Sequence, residues 1–387
     1  MTDKTRVIVI GGGYAGVLAA NHLLQRDDID VVLVNARPEF VERIRLHQLA
    51  VGNDDAVADY GELLGERVRL VVDTVIRIDA ADRRLELASG TVLGYDHLIY
   101  AVGSTSGAAP EFAYRISELE DAQRLAARLQ DVPASAPVVV VGGGLTGIEA
   151  ASEFAGESGA ARPVTLVAGP VLGPSLSGPG RKSVAKQLAK LGVTVIEGPT
   201  VTEVDAHQVT LSDGRTLDSA ATVWTAGFGV PKLAAESGFR TDELGRMLTD
   251  ETLTSIDDDR VVAAGDAAAP SGLPLRMSCQ AALPLGAQAA NTVLARLAGT
   301  EPAPVNQAFT GQCISIGRDG GTIQLARTDD TVIRLYIGGR TAALIKEQVC
   351  RGTLSFLRKE ARKPGAYFWL KGGKRAQRVA GSEAVQA

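Results

Sequence analysis

Residues 7–16 read VIVIGGGYAG, and this stretch decides the fold because a short apolar run ends in closely spaced glycines. The apolar run predicts a buried parallel strand, and Val17–Leu24 predicts the helix after it. Gly11, Gly13 and Gly16 fit the G-x-G-x-x-G pattern, which allows a tight turn, close approach to a pyrophosphate and close helix packing. The helix N-terminus offers N–H groups to that anion. With Asp30–Val34 as a second strand, the stretch predicts a dinucleotide-binding βαβ unit.

The same order of elements returns near the middle of the chain. Residues 138–147 read VVVVGGGLTG, with Gly142, Gly144 and Gly147 in the same pattern. Val164–Val167 is expected to be the second strand of this unit. Two such turns in one chain indicate dinucleotide binding far more specifically than a single turn does. Hydride transfer between two cofactors requires two nucleotide sites.

Both units lack the acidic residue that usually binds ribose hydroxyls at the end of the second strand. The first unit has Asn35 there, whose amide can hydrogen-bond to a ribose, and Arg37 could reach an adenine or a phosphate. The second unit has Ala168, and the nearest cations in sequence are Arg181 and Lys182. The sequence therefore leaves the choice between NADH and NADPH open.

Length, net charge and cysteine content limit the classes of protein to which the chain can belong. The chain has 387 residues, which predicts two or three domains, and a net charge of -5, which gives no reason to expect nucleic-acid binding. Its cysteines, Cys279, Cys313 and Cys350, form no C-x-x-C pair and argue against a disulfide framework. We expect no metal site, no targeting segment and no membrane span, and therefore a cytoplasmic protein that is soluble or at most peripheral at the inner face of a membrane.

Three further motifs make the chain resemble the two-dinucleotide-binding-domain flavoproteins, the pyridine nucleotide-disulfide oxidoreductase superfamily. Residues 95–103, YDHLIYAVG, resemble the strand that returns the chain beside FAD, and residues 221–227, ATVWTAG, resemble its counterpart after the NAD(P) domain. Residues 261–266, VVAAGD, resemble the late Gly-Asp motif.

This resemblance implies an α/β fold of two Rossmann-like dinucleotide-binding domains, with the NAD(P) domain inserted in the FAD domain, plus a smaller C-terminal α+β domain. The FAD domain would take residues 1–110 and 229–300, the NAD(P)H domain residues 111–228, and the C-terminal domain residues 301–387. In this last part, the pattern predicts β-hairpins from Cys313–Gly317, Thr322–Ala326 and Val332–Ile337.

The resemblance also assigns site residues. Asp266 would hydrogen-bond to the flavin ribityl chain, with a simple turn carboxylate as the alternative; Leu285 would sit at a Pro-started helix that faces the flavin, with an ordinary helix as the alternative. The FAD set is Gly11, Gly13, Tyr14, Ala15, Gly16, Asn35, Ala36, Arg37, Arg43, Val75, Ala101, Gly103, Asp266 and Leu285. The NAD(P)H set is Gly142, Gly144, Leu145, Gly147, Ala226 and Gly227.

Within the superfamily, the chain most resembles the type II NADH dehydrogenase-like and apoptosis-inducing-factor-like quinone reductases. Residues 40–49, FVERIRLHQL, stand where disulfide reductases carry redox cysteines, so electrons must pass directly from reduced flavin to a quinone-like acceptor. His47 is a candidate proton donor because its intrinsic pKa lies near neutrality. Glu149 is a candidate beside the nicotinamide or flavin. The alternatives are a structural histidine and a first-turn helix carboxylate.

Two other functions remain open at this point: a ferredoxin- or rubredoxin-type electron-transfer reductase, and a slow-turnover NAD(P)H-sensing flavoprotein. The basic tail from Lys346 to Arg378 carries Phe356 and residues 367–369, YFW. It predicts either a membrane-surface element or a domain element whose aromatic rings pack inside. Pro364 and the glycine after it favour the second, since they interrupt a helix. The oligomeric state is open.

Overall fold

The computed structural model describes residues 4–157 and 162–386. Its first sheet is five-stranded and parallel throughout. Valine and isoleucine fill its strands because both faces are covered. In spatial order, the strands are Val261–Ala263, His97–Tyr100, Thr5–Ile10, Ile29–Asn35 and Val68–Val72.

The second sheet has the same parallel design. The helices Leu119–Asp131, Leu145–Glu157 and Gly178–Lys190 pack against it. In spatial order, its strands are Ala113–Arg115, Ala221–Trp224, Val138–Val141, Val164–Gly169 and Thr194–Glu197.

The chain leaves the first sheet and returns to it through two segments that pair with each other. Thr105–Ser106 runs antiparallel to Phe228–Gly229. The second sheet is built entirely between these segments, whereas Val261–Ala263 rejoins the first sheet. This confirms the predicted insertion of one Rossmann-like domain in another.

Each sheet also carries an antiparallel three-stranded ribbon on one face. The ribbon of the first sheet is Val75–Asp79, Arg84–Leu87 and Val92–Gly94, and that of the second is Val201–Val204, Gln208–Leu211 and Thr216–Asp218. The shorter elements are strands Glu39–Val41, Val57–Asp59, Met247–Thr249 and Ala268–Pro270, and helical turns Arg43–Arg45, Leu46–Leu49, Tyr60–Leu63, Leu233–Glu236 and Gly265–Ala267.

The C-terminal part forms an antiparallel sheet of Gly311–Ile316, Gly320–Ala326 and Val332–Gly338, which confirms the predicted hairpins within a few residues. Helix Gly339–Arg362 follows and ends just before Pro364, and helix Arg375–Gln386 comes last.

Two helices meet almost backbone to backbone under the first sheet. Tyr14–Leu23 packs against Cys279–Leu297, and a Cβ added at Gly286 would lie only 2.2 Å from the carbonyl oxygen of Ala15. Only glycine fits at this crossing. The contact holds the start of the first helix in place.

The predicted start of the second of these helices is wrong. It begins at Cys279, capped by Ser278, whose hydroxyl accepts a hydrogen bond from the N–H of Ala281. Pro284 therefore lies inside the helix, where it cannot donate to the carbonyl of Gln280. The side-chain amide of Gln307 donates to that carbonyl instead, at 2.7 Å.

Among the described residues, no helix is both long and apolar enough to cross a bilayer.

Candidate functional site

The first glycine turn, residues 11–16, is tight where it meets the protein and open where it faces outward. Gly11 has a φ of +99°, and a Cβ there would lie 2.4 Å from the carbonyl oxygen of Ala101. A Cβ on Gly16 would lie 1.8 Å from the carbonyl oxygen of Gly11. A Cβ on Gly13 would meet nothing described within 4 Å beyond its chain neighbours. The turn therefore leaves room for a phosphate at the helix N-terminus.

The second glycine turn, residues 142–147, repeats this geometry. Gly142 has a φ of +121°, and a Cβ there would lie 2.4 Å from Oγ1 of Thr225. A Cβ on Gly147 would lie 1.9 Å from the carbonyl oxygen of Gly142, and Gly144 faces open space among the described residues. Leu145 begins the following helix. The resemblance between the two turns thus extends from the sequence to the contacts.

A cavity of about 440 Å³ opens beside the first turn, and we call it the first-turn cavity. It brings together most of the residues predicted for FAD: Gly11, Gly13, Tyr14, Ala15, Asn35, Ala36, Arg37, Arg43, Val75, Ala101, Gly103 and Asp266. Gly16 lies beneath the turn instead, where it contacts Gly11.

Asp266 lies at one end of this cavity with an unpaired oxygen. Its Oδ2 accepts a hydrogen bond from the hydroxyl of Ser104 at 2.7 Å, but its Oδ1 is buried and has no hydrogen-bond partner among the described residues. Arg43 holds the same end by donating to the carbonyl of Ser104 at 2.8 Å and to that of Ser117 at 3.1 Å. A buried oxygen without a donor is costly, so this end suits a ligand that carries hydroxyl groups.

The other end of the cavity is set by Asn35. Its Oδ1 accepts from the N–H of Gly12 at 2.9 Å and its Nδ2 donates to the carbonyl of Arg37 at 2.8 Å, so the amide fixes the turn. Arg37 forms a two-bond ion pair with Glu120, with both contacts at 2.8 Å, rather than projecting freely into the cavity. Ribose or phosphate contacts by these two side chains stay predictions.

A buried ion pair joins three parts of the molecule. Nζ of Lys346, on the long C-terminal helix, lies 3.1 Å from Oε1 of Glu149, on the helix that follows the second turn. The same oxygen accepts hydrogen bonds from N–H and hydroxyl of Ser315 in the C-terminal sheet, at 3.0 and 3.2 Å. The two charged side chains are only 12% and 11% exposed.

Both members of this pair stay charged. Burial raises the pKa of Glu149, but the ammonium of Lys346 and hydrogen bonds from Ser315 lower it by more, so the pKa lies below its usual value. Burial lowers the pKa of Lys346, but Glu149 together with Cys313 and Cys350 raises it by more, so the pKa lies well above its usual value. The pair therefore fixes an ammonium group in a poorly solvated place.

The three thiols are influenced by this same ammonium. Burial raises the pKa of Cys279 to about 12 and that of Cys350 to about 11, against the opposing effect of Lys346. The carboxylate of Asp266 also raises the pKa of Cys279. Burial also raises the pKa of Cys313. Thiols that stay protonated are poor nucleophiles.

The premise for His47 as a proton donor is wrong. The ring is 3% exposed, and burial lowers its pKa to about 4, which the neighbouring carboxylate of Glu149 only partly offsets. Its Nε2 has no hydrogen-bond partner among the described residues. A neutral imidazole is a much weaker acid than an imidazolium, so His47 is a poor general acid at physiological pH.

Leu285 is also misplaced by the sequence prediction. It is buried in the second turn of its helix, because that helix starts at Cys279, and Ala282 lines the cavity in its place. Ala226 and Gly227 lie after the strand that ends at Trp224, and Gly227 has a φ of +80°.

Comparison with known proteins agrees with this geometry. The chain matches the pyridine nucleotide-disulphide oxidoreductase family over residues 5–290. It belongs to that family. The first-turn cavity fits FAD, since it joins an open phosphate-binding turn to the unpaired oxygen of Asp266.

Two relatives come from Mycobacterium tuberculosis. An NADH dehydrogenase-like protein is 34% identical, over 75% of this chain and 80% of that protein. A type II NADH:quinone oxidoreductase is 30% identical, over 78% of this chain and 74% of that protein.

Solved structures share the fold at low identity. The sulfide:quinone oxidoreductase of Aquifex aeolicus has a TM-score of 0.80 at 19% identity and covers 93% of both chains. NDH2 from Plasmodium falciparum, in complex with NADH, has a TM-score of 0.77 at 16% identity and covers 95% of this chain and 100% of that one.

Sequence reasoning missed Lys346 and Ser104. It placed Lys346 at the start of a basic tail, and only the tertiary fold brings this residue to Glu149. Ser104 directly follows the glycine motif at residues 95–103, and a polar residue next to such a turn was the one signal available.

Asp266→Ala is expected to weaken FAD retention by about 10- to 100-fold, since hydrogen bonds to a charged group contribute about 1.5–3 kcal/mol. The measurement is flavin absorbance per protein after desalting, together with FAD titration of the stripped protein. Asp218→Ala, at an exposed carboxylate in the other domain, is the control. Equal retention of FAD by both variants would contradict the role given to Asp266.

Proposed function

We propose that this protein is an FAD-dependent NADH dehydrogenase that passes electrons to a quinone-like acceptor without a thiol intermediate. The observation that carries the proposal is a cavity that fits FAD, together with the buried charged pair of Lys346 and Glu149. Glu149 comes from the helix that starts at the second nucleotide turn, so this pair joins the second nucleotide-binding unit to the C-terminal helix. The names of the two mycobacterial relatives support the same activity.

The protein contributes mainly position and charge. The first turn and Asp266 hold FAD, which when bound accepts a hydride and returns electrons in a separate step. The second turn holds the pyrophosphate of the nicotinamide nucleotide at a helix N-terminus. The ammonium of Lys346 offers N–H donors where negative charge develops on an acceptor oxygen. Glu149 keeps that ammonium charged and in place.

The thiols take no part in this scheme. The raised pKa values of Cys279 and Cys350 keep both thiols protonated. All three cysteines are free of disulfides. The imidazole of His47 lies near Glu149 and is neutral at physiological pH, so we assign it no role as a proton donor.

The test is a pair of half-reactions followed by flavin absorbance under anaerobic conditions. NADH is expected to bleach the flavin, and a soluble ubiquinone or menaquinone analogue to restore it within turnover time. Ferredoxin and rubredoxin are the competing acceptors, and they are expected to be slower. Faster reoxidation by an iron–sulfur protein would support the electron-transfer alternative, and slow reoxidation by every acceptor would support the sensing alternative.

The acceptor is proposed to reach the protein from a membrane surface. Helix Gly339–Arg362 buries Lys346 on one side and exposes Leu344, which is 69% exposed, and Val349, which is 47% exposed. Leu335, on the adjacent strand, is 63% exposed. Arg340 and Arg351, on the same helix, are 85% and 67% exposed and form ion pairs with Asp319 and Glu347. Exposed apolar residues on a helix that also carries arginines suit peripheral binding at an anionic bilayer.

The aromatic tail divides between the two roles predicted for it. Tyr367 stacks on Trp369 and packs against the core of the first sheet, as expected of a domain element. Phe368 between them is 73% exposed. Tyr367 and Trp369 are therefore part of the packed domain, and membrane contact by the tail stays a prediction.

Leu344→Glu combined with Val349→Glu is expected to lower co-sedimentation with anionic phosphatidylglycerol vesicles by at least about tenfold. The reason is that carboxylates replace two exposed apolar side chains that would insert into the bilayer. Ile76→Glu, at a 54% exposed isoleucine of the first sheet's ribbon, is the control. Equal sedimentation of the double variant and the control would rule out this surface.

A further inference from the structure

The second nucleotide-binding unit has an acidic residue, but on an unusual strand. Strand Val164–Gly169 ends without a carboxylate, whereas its neighbour Thr194–Glu197 ends on one. Gly169 and Glu197 are paired across the two strands, and the N–H of Gly198 donates to the carbonyl of Gly169 at 2.7 Å. The carboxylate of Glu197 thus starts one strand away from the expected position.

The side chain of Glu197 is folded back over that missing position. Its Oε1 accepts a hydrogen bond from the backbone N–H of Leu172 at 2.6 Å. Its Oε2 has no hydrogen-bond partner among the described residues, and the residue is exposed. One oxygen therefore fixes the carboxylate, and the other is available to a ligand.

The loop that holds Glu197 is itself attached to the second glycine turn. The N–H of Gly173 donates to the carbonyl of Gly143 at 2.8 Å, and a Cβ on Gly143 would lie 2.4 Å from the carbonyl oxygen of Ala168. In a Rossmann-type unit, the adenosine ribose lies beside this turn, at the end of the second strand. The free oxygen of Glu197 therefore borders the space for the 2′-position of that ribose.

We propose that Glu197 selects NADH over NADPH. This inference rests on the proposed function only in taking flavin reduction by the nucleotide as the reaction. A carboxylate accepts hydrogen bonds from ribose hydroxyls, whereas it repels a 2′-phosphate. A competing cation that is close in sequence is Arg181, whose Cγ lies 3.6 Å from a Cβ added at Gly173. If Arg181 instead clamped a 2′-phosphate, the preference would be reversed.

The experiment compares wild type with Glu197→Gln for flavin reduction by NADH and by NADPH. The wild type is expected to prefer NADH, and Glu197→Gln to raise the NADPH/NADH ratio of kcat/KM about tenfold by removing the repulsion. Glu203→Gln, at an exposed carboxylate on strand Val201–Val204 of the same domain, is the matched control with the same loss of charge and no expected change in the ratio.

A binding measurement separates this proposal from the activity. Adenosine 2′,5′-bisphosphate is titrated into the FAD-loaded protein by calorimetry, and Glu197→Gln is expected to tighten its binding about tenfold relative to wild type and Glu203→Gln. If wild-type flavin is not reduced by either nucleotide, the proposed function fails while this titration still tests Glu197. A wild type that prefers NADPH, or unchanged binding in Glu197→Gln, overturns the selection by Glu197.

Discussion

The buried ion pair between Lys346 and Glu149 is the interaction on which the arrangement of the site depends. It connects the C-terminal helix to the nucleotide-binding core, and Ser315 adds a third attachment from the C-terminal sheet. Removing one member of a buried pair costs about 3–5 kcal/mol, because the other charge is left without a partner. The pair is therefore a poor source of stability but a strong constraint on geometry, since each charge requires the other at contact distance.

This constraint sets which face of helix Gly339–Arg362 packs against the core and which face is exposed. Lys346 holds the inner face of helix Gly339–Arg362 against the core, so Leu344 and Val349 are left on the outside. The ammonium of Lys346 is fixed on the inner side of this helix, in contact with Glu149. A fixed charge stabilises a developing opposite charge more strongly in a poorly solvated place than in water.

The fold could be predicted from the sequence because its signals are local. The glycine turns require backbone contacts that a side chain would block, as the 1.8 Å and 1.9 Å approaches at Gly16 and Gly147 show. The parallel strands around them are buried on both faces and read as apolar runs. The repeated glycine turn predicts two nucleotide-binding units, and the resemblance to the two-dinucleotide-binding-domain flavoproteins implies that one of them is inserted in the other.

The site was less predictable because its contacts are tertiary. Lys346 and Glu149 are far apart in sequence, and Glu197 reaches the second turn from a neighbouring strand, which no motif spacing reveals. The sequence could not show that burial moves the pKa of His47 to about 4. It also placed a helix start at Pro284, since proline favours the first turn, whereas Ser278 caps the helix earlier.

Substitution of Lys346 tests most directly whether its fixed charge serves the acceptor. In Lys346→Met, reduction of the flavin by NADH is expected to stay within about threefold of wild type, while reoxidation by a soluble quinone falls about 100-fold, in the range found when a single charge-stabilising donor is removed. In Lys346→Met the carboxylate of Glu149 is left without its partner. If this single variant does not hold FAD, the measurement is made on Lys346→Met combined with Glu149→Gln, in which that carboxylate is neutral. Reoxidation at the wild-type rate in an FAD-loaded variant without the ammonium would contradict the account.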